Sequence, residues 1–224
     1  VDGKLIGTGP RVVYALHKPK GVVCTSAPEE KRLRAIDLVR DPGAARLFCV
    51  GRLDAESEGL IFLTNDGDLA NRITHPRYEV SKTYFVKVRG RVTPEALQKA
   101  MDGIWLAEGK TSGSRIFVRK RLATASVLLV TIREGMNREI RRVFAKLDFP
   151  VIDLKRVAIG PISLRGIREG AYRRLTREEI KALLGQSGDT PKIAKGAKLP
   201  RLYDAKVSKP SQSRSFGKKP FRRP

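Results

Sequence analysis

The sequence predicts an α+β fold built on a mixed, largely antiparallel sheet with flanking helices. Three observations favour this class. Short apolar runs typical of buried strands recur along the chain, and short amphipathic segments typical of helices lie between them. Hydrophobic residues make up 41% of the 224 residues, which is enough to bury a core. No apolar run approaches the roughly 18 residues that a membrane span requires.

The first half of the chain alternates apolar strands with turn signals. The segment 33–39 favours a short helix, and GRLDAESEG at 51–59 predicts a loop that joins two apolar strands. NDGD at 65–68 predicts a turn and a helix cap ahead of LANRI. Buried strands are predicted at 12–16, 47–50 and 60–64.

The second half shows clearer periodicity. In the predicted strand 83–89, Tyr84, Val86 and Val88 share one face. A helix is predicted from Pro94 to about Met101, because proline suits the first helical position. The other predicted elements are a hairpin at 114–120 and 124–133, a strand at 151–159, and a helix at 176–184 with Thr176 and Glu179 as its capping box.

Residues 137–147 form the clearest predicted helix, with Asn137 as its N-cap. Its apolar stripe follows the i, i+3, i+4, i+7 spacing and consists of Ile140, Val143, Phe144 and Leu147. Arg138 and Arg142 point away from this stripe at 100° per residue. Arg141 lies at the border of the stripe, where its side chain can turn into a cleft.

The chain is strongly basic, with 46 Lys and Arg residues against 23 acids and a formal net charge of +23. This excess favours nucleic-acid binding, although a basic soluble surface or a structural ribosomal protein would share it. Residues 185–224 contain 11 basic and 2 acidic residues without apolar periodicity, which predicts a flexible, disordered basic tail. The rest of the chain is also basic, so the tail alone does not explain the charge.

Several enzyme classes lack their motifs in this sequence. There is no Gly-rich phosphate loop, the two histidines have no metal-site spacing, and Ser57 lies between Glu56 and Glu58 instead of the glycines of a nucleophile elbow. Classical serine hydrolases, kinases and dehydrogenases are therefore excluded, and we expect neither a metal nor an organic cofactor. Cys24 and Cys49 are interpreted as thiols without close partners in a reducing cytosol.

An acidic cluster of Asp54, Glu56 and Glu58 is unexpected in so basic a chain. It lies in GRLDAESEGLIFLTNDG, which resembles the signature loop of the pseudouridine synthases in the form of the RsuA/RluB-type ribosomal RNA enzymes. Further segments resemble this family in type and order, and the resemblance covers roughly 11–184. These segments are HKPKGVVCT at 17–25, SKTY at 81–84, REGMNREIRRVF at 133–144 and FPVIDLKRVAIGPISL at 149–164.

The resemblance implies a central catalytic cleft with three catalytic residues. Asp54 of GRLD is implied to act as a nucleophile on a flipped-out uridine, and Arg141 to keep this acid charged. Tyr84 is implied to stack on the target base, with its hydroxyl available for proton transfer, whereas strand alternation alone would make it a core aromatic. Glu56 and Glu58 are expected to pair with nearby basic residues.

The same resemblance suggests which residues contact RNA. Arg52 is expected to help extrude the target nucleotide, with a phosphate or loop contact as the alternative. Lys18 and Lys20 are expected either to contact the RNA backbone or to hold their own loop. Arg138 and Arg142, predicted to face outward, suit phosphate contacts.

Ile162 and Leu164 are expected to form part of the apolar pocket wall. Two positions depart from the family pattern. Met136 stands where a basic residue or Tyr is usual, and His17 stands where Asn is usual. Neither position is one of the implied catalytic residues, so the implied activity is unaffected.

The implied organisation is a catalytic domain at 11–184, with two subdomains around the cleft and a break near 75–80. Residues 1–10 resemble the last strand of a small RNA-binding domain, so we expect that domain to have been truncated or lost. The implied reaction is isomerisation of a specific uridine to pseudouridine in large-subunit (23S-type) ribosomal RNA, by a cytoplasmic monomer without membrane association. Two alternatives stay open: the same reaction on small-subunit RNA, and a non-catalytic RNA-binding protein of the ribosome.

Overall fold

The computed structural model describes residues 10–41 and 46–185. Nearly all of the predicted N-terminal remnant and of the predicted basic tail lies outside the described residues. Within them, the predicted α+β class is confirmed. A mixed sheet carries helices on both faces, and its strand order is β11-β1-β3-β9-β4-β8-β7, with β2 added to β3 and β10 added to β9.

The strands of this sheet are mostly those predicted from apolar runs. Their bounds are β1 Val13–Lys18, β2 Phe48–Val50, β3 Glu58–Thr64, β4 Lys82–Arg89, β7 Arg115–Arg121, β8 Ala125–Ile132, β9 Val151–Ile159, β10 Ile162–Ser163 and β11 Tyr172–Arg174. A separate two-stranded hairpin consists of β5 Trp105–Leu106 and β6 Gly109–Lys110. The sequence did not predict β5, β6, β10 or β11, because strands of two or three residues are too short to show a period.

The helices are short. They are α1 Gly67–Thr74, α2 Pro94–Asp102, α3 Glu139–Lys146 and α4 Arg177–Leu184, and single 3₁₀ turns occur at Ala35–Leu38 and Pro76–Tyr78. The predicted capping box of α4 is confirmed, since the Thr176 hydroxyl accepts from the Glu179 amide and the Glu179 carboxylate accepts in return. The predicted helix at 33–39 is only a 3₁₀ turn.

Asn137 is not the N-cap of α3, contrary to the prediction. The helix begins at Glu139, and the N-cap is Arg138, which has left-handed backbone angles (φ 48°, ψ 32°) and makes no side-chain cap bond. Cap propensity favours asparagine, but the chain turns one residue later. This turn redirects the Arg138 side chain, with consequences for the site described below.

Two apolar cores lie on opposite faces of the sheet. Alternate residues of β1 and β3 face each core, as the period of a strand requires. One core is covered by α2 and α3 and contains Tyr84, Val86 and Val88, so the predicted shared face of β4 is confirmed. The other core is covered by α1 and α4.

The pairing of β3 with β9 is one of the contacts that join the two halves of the chain. This pairing is parallel and joins Glu58 to Lys155 and Gly59 to Arg156, whereas the other strand pairs of the described sheet are antiparallel. Gly59 has φ +119°, and a Cβ atom there would lie 2.2 Å from the backbone oxygen of Arg156. Glycine is therefore required for the backbones to approach this closely. The predicted break near 75–80 falls at the Pro76–Tyr78 turn, while the sheet itself continues through both halves.

We predict that Gly59→Ala destabilises the fold by at least about 2 kcal/mol, because strained backbone and a clash with backbone atoms add together. Gly67→Ala, at the first position of α1, is the matched control: a Cβ atom there meets nothing within 4 Å. We expect its effect to be within about 0.5 kcal/mol. Urea denaturation of both variants measures the difference, and equal stability of the two would contradict the role assigned to Gly59.

Candidate active site

The acidic loop between β2 and β3 is held by an arginine at the start of α3. The Arg138 Nη1 atom lies 2.9 Å from Asp54 Oδ2 and 2.6 Å from Glu56 Oε1, so one guanidinium bridges two carboxylates. This ion pair holds the pKa of Glu56 below its usual value, chiefly through the hydrogen bond from Arg138. The predicted outward orientation of Arg138 is therefore wrong, since the left-handed turn at this residue points it toward the loop.

Arg141 also approaches the acidic loop, but its nearest partners are other residues. Its Nε atom lies 3.2 Å from Glu56 Oε1 and 3.9 Å from Asp54 Oδ2, and its Nη2 donates to the Ser57 hydroxyl at 3.1 Å. The predicted position at the border of the apolar stripe does let the side chain turn inward. Arg138 is thus the closer of the two arginines to Asp54, and the predicted pairing of Arg141 with Asp54 is a longer-range one.

Beneath the loop lies a layer of buried charges. Glu58 pairs with Lys155 at 3.3 Å, with side chains only 10% and 4% exposed. Since Glu56 pairs with both arginines, the expected pairing of Glu56 and Glu58 with basic residues is confirmed. A buried ion pair of this kind fixes geometry more than it adds net stability, because both ions lose their hydration.

The two lysines of the 17–25 segment have different environments. Lys18 is fully buried, and its Nζ donates to the carbonyls of Pro19 and Val22 at 2.8 Å each. Burial is also the largest cause of the lowered pKa of Lys18. Of the alternatives left open for Lys18, the geometry therefore supports holding the loop over contacting RNA. Lys20 is exposed and pairs with Asp153 at 2.5 Å.

A cleft of about 180 Å³ opens beside Asp54. Four residues predicted to act in catalysis or in RNA contact line it, namely Arg52, Asp54, Tyr84 and Arg138. Tyr84 is only 7% exposed and belongs both to the core and to the cleft wall. The apolar part of the wall consists of Val50, Leu53, Ile73, Ile132, Ile140, Leu154 and Ile159, together with Met136.

Ile162 and Leu164 do not line this cleft, contrary to expectation. Both are buried in the core that α1 and α4 cover, which reaches the cleft through other residues, Val50, Ile73 and Ile159. Apolar character alone could not show which core a short strand faces. Arg142 is also outside the cleft, where it forms a bidentate pair with Glu108 of the β5–β6 hairpin.

Lys82 and Glu139 are titratable cleft residues that sequence reasoning missed. Burial, followed by the charge of Arg156, lowers the pKa of Lys82 to about 8. Burial, followed by the charge of Glu134, raises the pKa of Glu139 to about 7. Lys82 and Glu139 lie in the segments 81–84 and 133–144, which resemble the family. Their perturbed pKa values mark the cleft as a functional-site candidate.

Cys24 and Cys49 are neighbours, so the interpretation of two isolated thiols is wrong. A hydrogen bond from Cys49 is the largest cause that lowers the pKa of Cys24 to about 6, and the same interaction raises the pKa of Cys49. The Leu53 amide donates to Cys24 Sγ at 3.4 Å. The thiol pair thus supports the backbone next to Asp54, and residues 25 positions apart gave no sequence signal for this contact.

Among residues 10–41 and 46–185, no group of three or more His, Cys, Asp or Glu side chains could hold a metal ion. No helix in these ranges is long and apolar enough to span a membrane. A carboxylate that two guanidinium groups contact, and that shares a cleft with a buried phenol, suits nucleophilic or proton-transfer chemistry on a bound polyanion.

We predict that Glu139→Gln removes a pH-dependent part of the folding free energy. The folded protein keeps the Glu139 proton up to a pKa of about 7, against 4.5 for an unperturbed glutamate. The stability that this group provides is complete below pH 4.5 and is lost as pH rises through 7. As the pH rises from 5 to 8, the free energy of unfolding of the variant should therefore increase by about 2 to 3 kcal/mol relative to that of wild type.

Urea denaturation of both proteins at these two pH values measures this gain. Glu178→Gln, which changes an exposed acid of α4 in the same way, is the control and should show no such gain. A constant difference between wild type and Glu139→Gln across this range would contradict the raised pKa.

Comparisons with known proteins show the family of this chain. The family model described as RNA pseudouridylate synthase matches residues 12–146. Ribosomal large subunit pseudouridine synthase B of Bacillus subtilis is 38% identical over 186 residues, which are 82% of this chain and 75% of that protein. The protein of the same name from Pseudomonas aeruginosa is 33% identical over 225 residues, 97% of this chain and 58% of that one.

A solved structure gives the same result for the fold. A crystal structure of a pseudouridylate synthase superposes with a TM-score of 0.72 at 31% identity, over 80% of this chain and 76% of that chain. The chain therefore belongs to the RNA pseudouridylate synthase family and is a pseudouridine synthase, similar to the large-subunit enzymes named B.

Proposed function

We propose that this enzyme isomerises a specific uridine of large-subunit ribosomal RNA, with Asp54 as the nucleophile on a flipped-out nucleotide. The observation that carries the proposal is the position of Asp54 in a cleft that Tyr84 and Arg138 also line, with Arg138 and Arg141 both within 4 Å of its carboxylate. The large-subunit target rests on the names of the relatives from B. subtilis and P. aeruginosa. We also propose that the enzyme works in the cytoplasm, which a ribosomal RNA target supports, and the monomeric state stays a prediction.

The arginine pairs explain how a carboxylate can work against RNA. Phosphates repel an acid, and burial penalises its charge. Arg138 and Arg141 lie within 4 Å of both Asp54 and Glu56, so two positive charges oppose two negative ones in the loop. The loop therefore presents Asp54 without adding net negative charge to the RNA-facing surface.

The reaction needs the uridine to leave its stack before its glycosidic bond can be reached. The bond from ribose C1′ to N1 breaks, the base rotates, and C1′ bonds to C5; the hydrogen of C5 is lost and N1 gains one. Asp54 could attack the base, attack the ribose or remove a ribose proton, and each route requires the carboxylate. We propose that Tyr84 stacks on the base and that exposed Arg52 helps to extrude the nucleotide; both residues line the cleft with Asp54, which supports these roles.

We predict that Asp54→Asn abolishes pseudouridine formation while leaving the fold intact, because the amide keeps the shape but not the charge. Unmodified large- and small-subunit ribosomal RNAs should each be incubated with wild type and variant, and pseudouridines mapped. One new pseudouridine in the large-subunit RNA is expected with wild type only. Asp102→Asn makes the same change at an exposed residue, the last of α2, and should retain wild-type activity.

Each other outcome has a definite meaning. A product in small-subunit RNA alone would overturn the proposed target but not the reaction. Near wild-type activity of Asp54→Asn would overturn the assignment of Asp54. A wild-type protein that binds both RNAs and modifies neither would overturn the proposed substrate.

We predict that Arg138→Gln and Arg141→Gln each lower kcat/KM by about tenfold or more. Each removes charge-assisted contacts to the acidic loop, and such contacts contribute about 1.5 to 3 kcal/mol. Arg177→Gln, on exposed α4, is the control for lost positive charge. Single-turnover rates on the same RNA measure the effect; a loss no greater than that of Arg177→Gln would contradict the role of either arginine.

A further inference from the structure

An exposed tryptophan lies next to the helix that carries the site arginines. Trp105 is the single tryptophan of the chain. It is 67% exposed, more than the other exposed large apolar residues of the described ranges, namely Leu33, Phe117 and Ile152. A lone exposed apolar side chain needs no explanation by itself. The surroundings of Trp105 are what distinguish it.

The β5–β6 hairpin that carries Trp105 is anchored to α3. Lys146 Nζ donates to the Trp105 carbonyl at 2.8 Å, and Arg142 forms a bidentate pair with Glu108 at the hairpin turn. Behind the hairpin, the Ile104 amide donates to the Thr111 hydroxyl at 2.9 Å. The backbone that carries the indole is therefore held in place, and little backbone freedom remains to be lost when a ligand covers the ring.

A basic stripe connects this hairpin with the cleft. It consists of Arg138, the N-cap of α3, and of Arg142 and Lys146, which lie four residues apart on one face of that helix. Its first member contacts Asp54, and its last member contacts the backbone of Trp105.

We propose that the stripe of Arg138, Arg142 and Lys146 guides the RNA strand next to the target uridine, and that Trp105 stacks on an unpaired base of the same strand. This inference rests on the proposed function, since it takes RNA in the cleft as its starting point. RNA is favoured over a protein partner by charge: Lys110 and Lys146 are exposed and basic, while Glu108 and Arg142 neutralise each other.

The combination of an exposed tryptophan and a basic stripe suits single-stranded RNA. Aromatic side chains stack on any base, and this contributes about 1 to 3 kcal/mol per base without reading sequence. Lysine and arginine hold the phosphates, which makes binding strongly dependent on salt. Trp105 would thus select an unpaired flank beside the target, and the cleft would select the uridine itself.

The single tryptophan makes the test direct, because its fluorescence reports on Trp105 alone. Titration with an oligouridylate should quench the emission saturably, and a duplex of the same length should quench it less. On unmodified large-subunit ribosomal RNA, Trp105→Ala should raise KM about 5- to 150-fold with little change in kcat. Trp105→Phe should recover most of the loss, since it retains an aromatic face. Ile152→Ala, at a 50% exposed residue of β9, is the matched control and should leave KM unchanged.

The outcomes separate this inference from the proposed function. Wild-type KM in Trp105→Ala, or no quenching by unpaired RNA, would overturn the stacking role while the proposed function stood. Equal losses in Trp105→Phe and Trp105→Ala would also overturn it, because stacking would then not be the cause. Quenching by oligouridylate without any pseudouridine in either ribosomal RNA would overturn the proposed function and retain the RNA contact.

Discussion

The site depends on one interaction, the clamp between the arginines at the start of α3 and the acids of the β2–β3 loop. Arg138 bridges Asp54 and Glu56, and Arg141 joins Glu56 to Ser57. An acidic loop in a protein of net charge +23 would otherwise be a weak point for RNA binding. With the clamp in place, the loop is close to neutral overall and its geometry is fixed from two directions.

The clamp works because the sheet brings distant parts of the chain together. The loop comes from the first half of the chain and α3 from the second, and the short parallel pairing of β3 with β9 is one of the strand pairings that join them. Gly59 permits that close approach, and the buried pair of Glu58 and Lys155 lies directly at it. Glu58, at the end of the acidic loop, therefore has a structural role, while Asp54, four residues earlier, lines the cleft.

The cleft combines a charged mouth with an interior of altered protonation. Burial shifts Lys82 and Glu139 toward their neutral forms, to pKa values of about 8 and 7, so both titrate near neutral pH. Arg156 adds a buried positive charge, with its Nε donating to the Leu60 carbonyl at 2.6 Å.

The sequence by itself determined the fold class and the main strands and helices, because these depend on local patterns; it also predicted Asp54 and Tyr84, which line one cleft. Apolar runs predict strands, the periodic stripe predicts α3, and the motif segments predict Asp54, Tyr84 and Arg141. Only the tertiary structure decided which way the remaining side chains point. Arg138 turns inward because its own backbone adopts a left-handed conformation, although its position on a helical wheel faces outward.

The same holds for residues whose neighbours are remote in sequence. Lys18 is buried on its own loop, and Ile162 and Leu164 lie in the core that α1 and α4 cover. Cys24 contacts Cys49 beneath the acidic loop. Burial, protonation and contact are properties of the packed sheet, since they depend on which strands become neighbours. A pattern of residue types along one strand carries no information about the strand that packs against it.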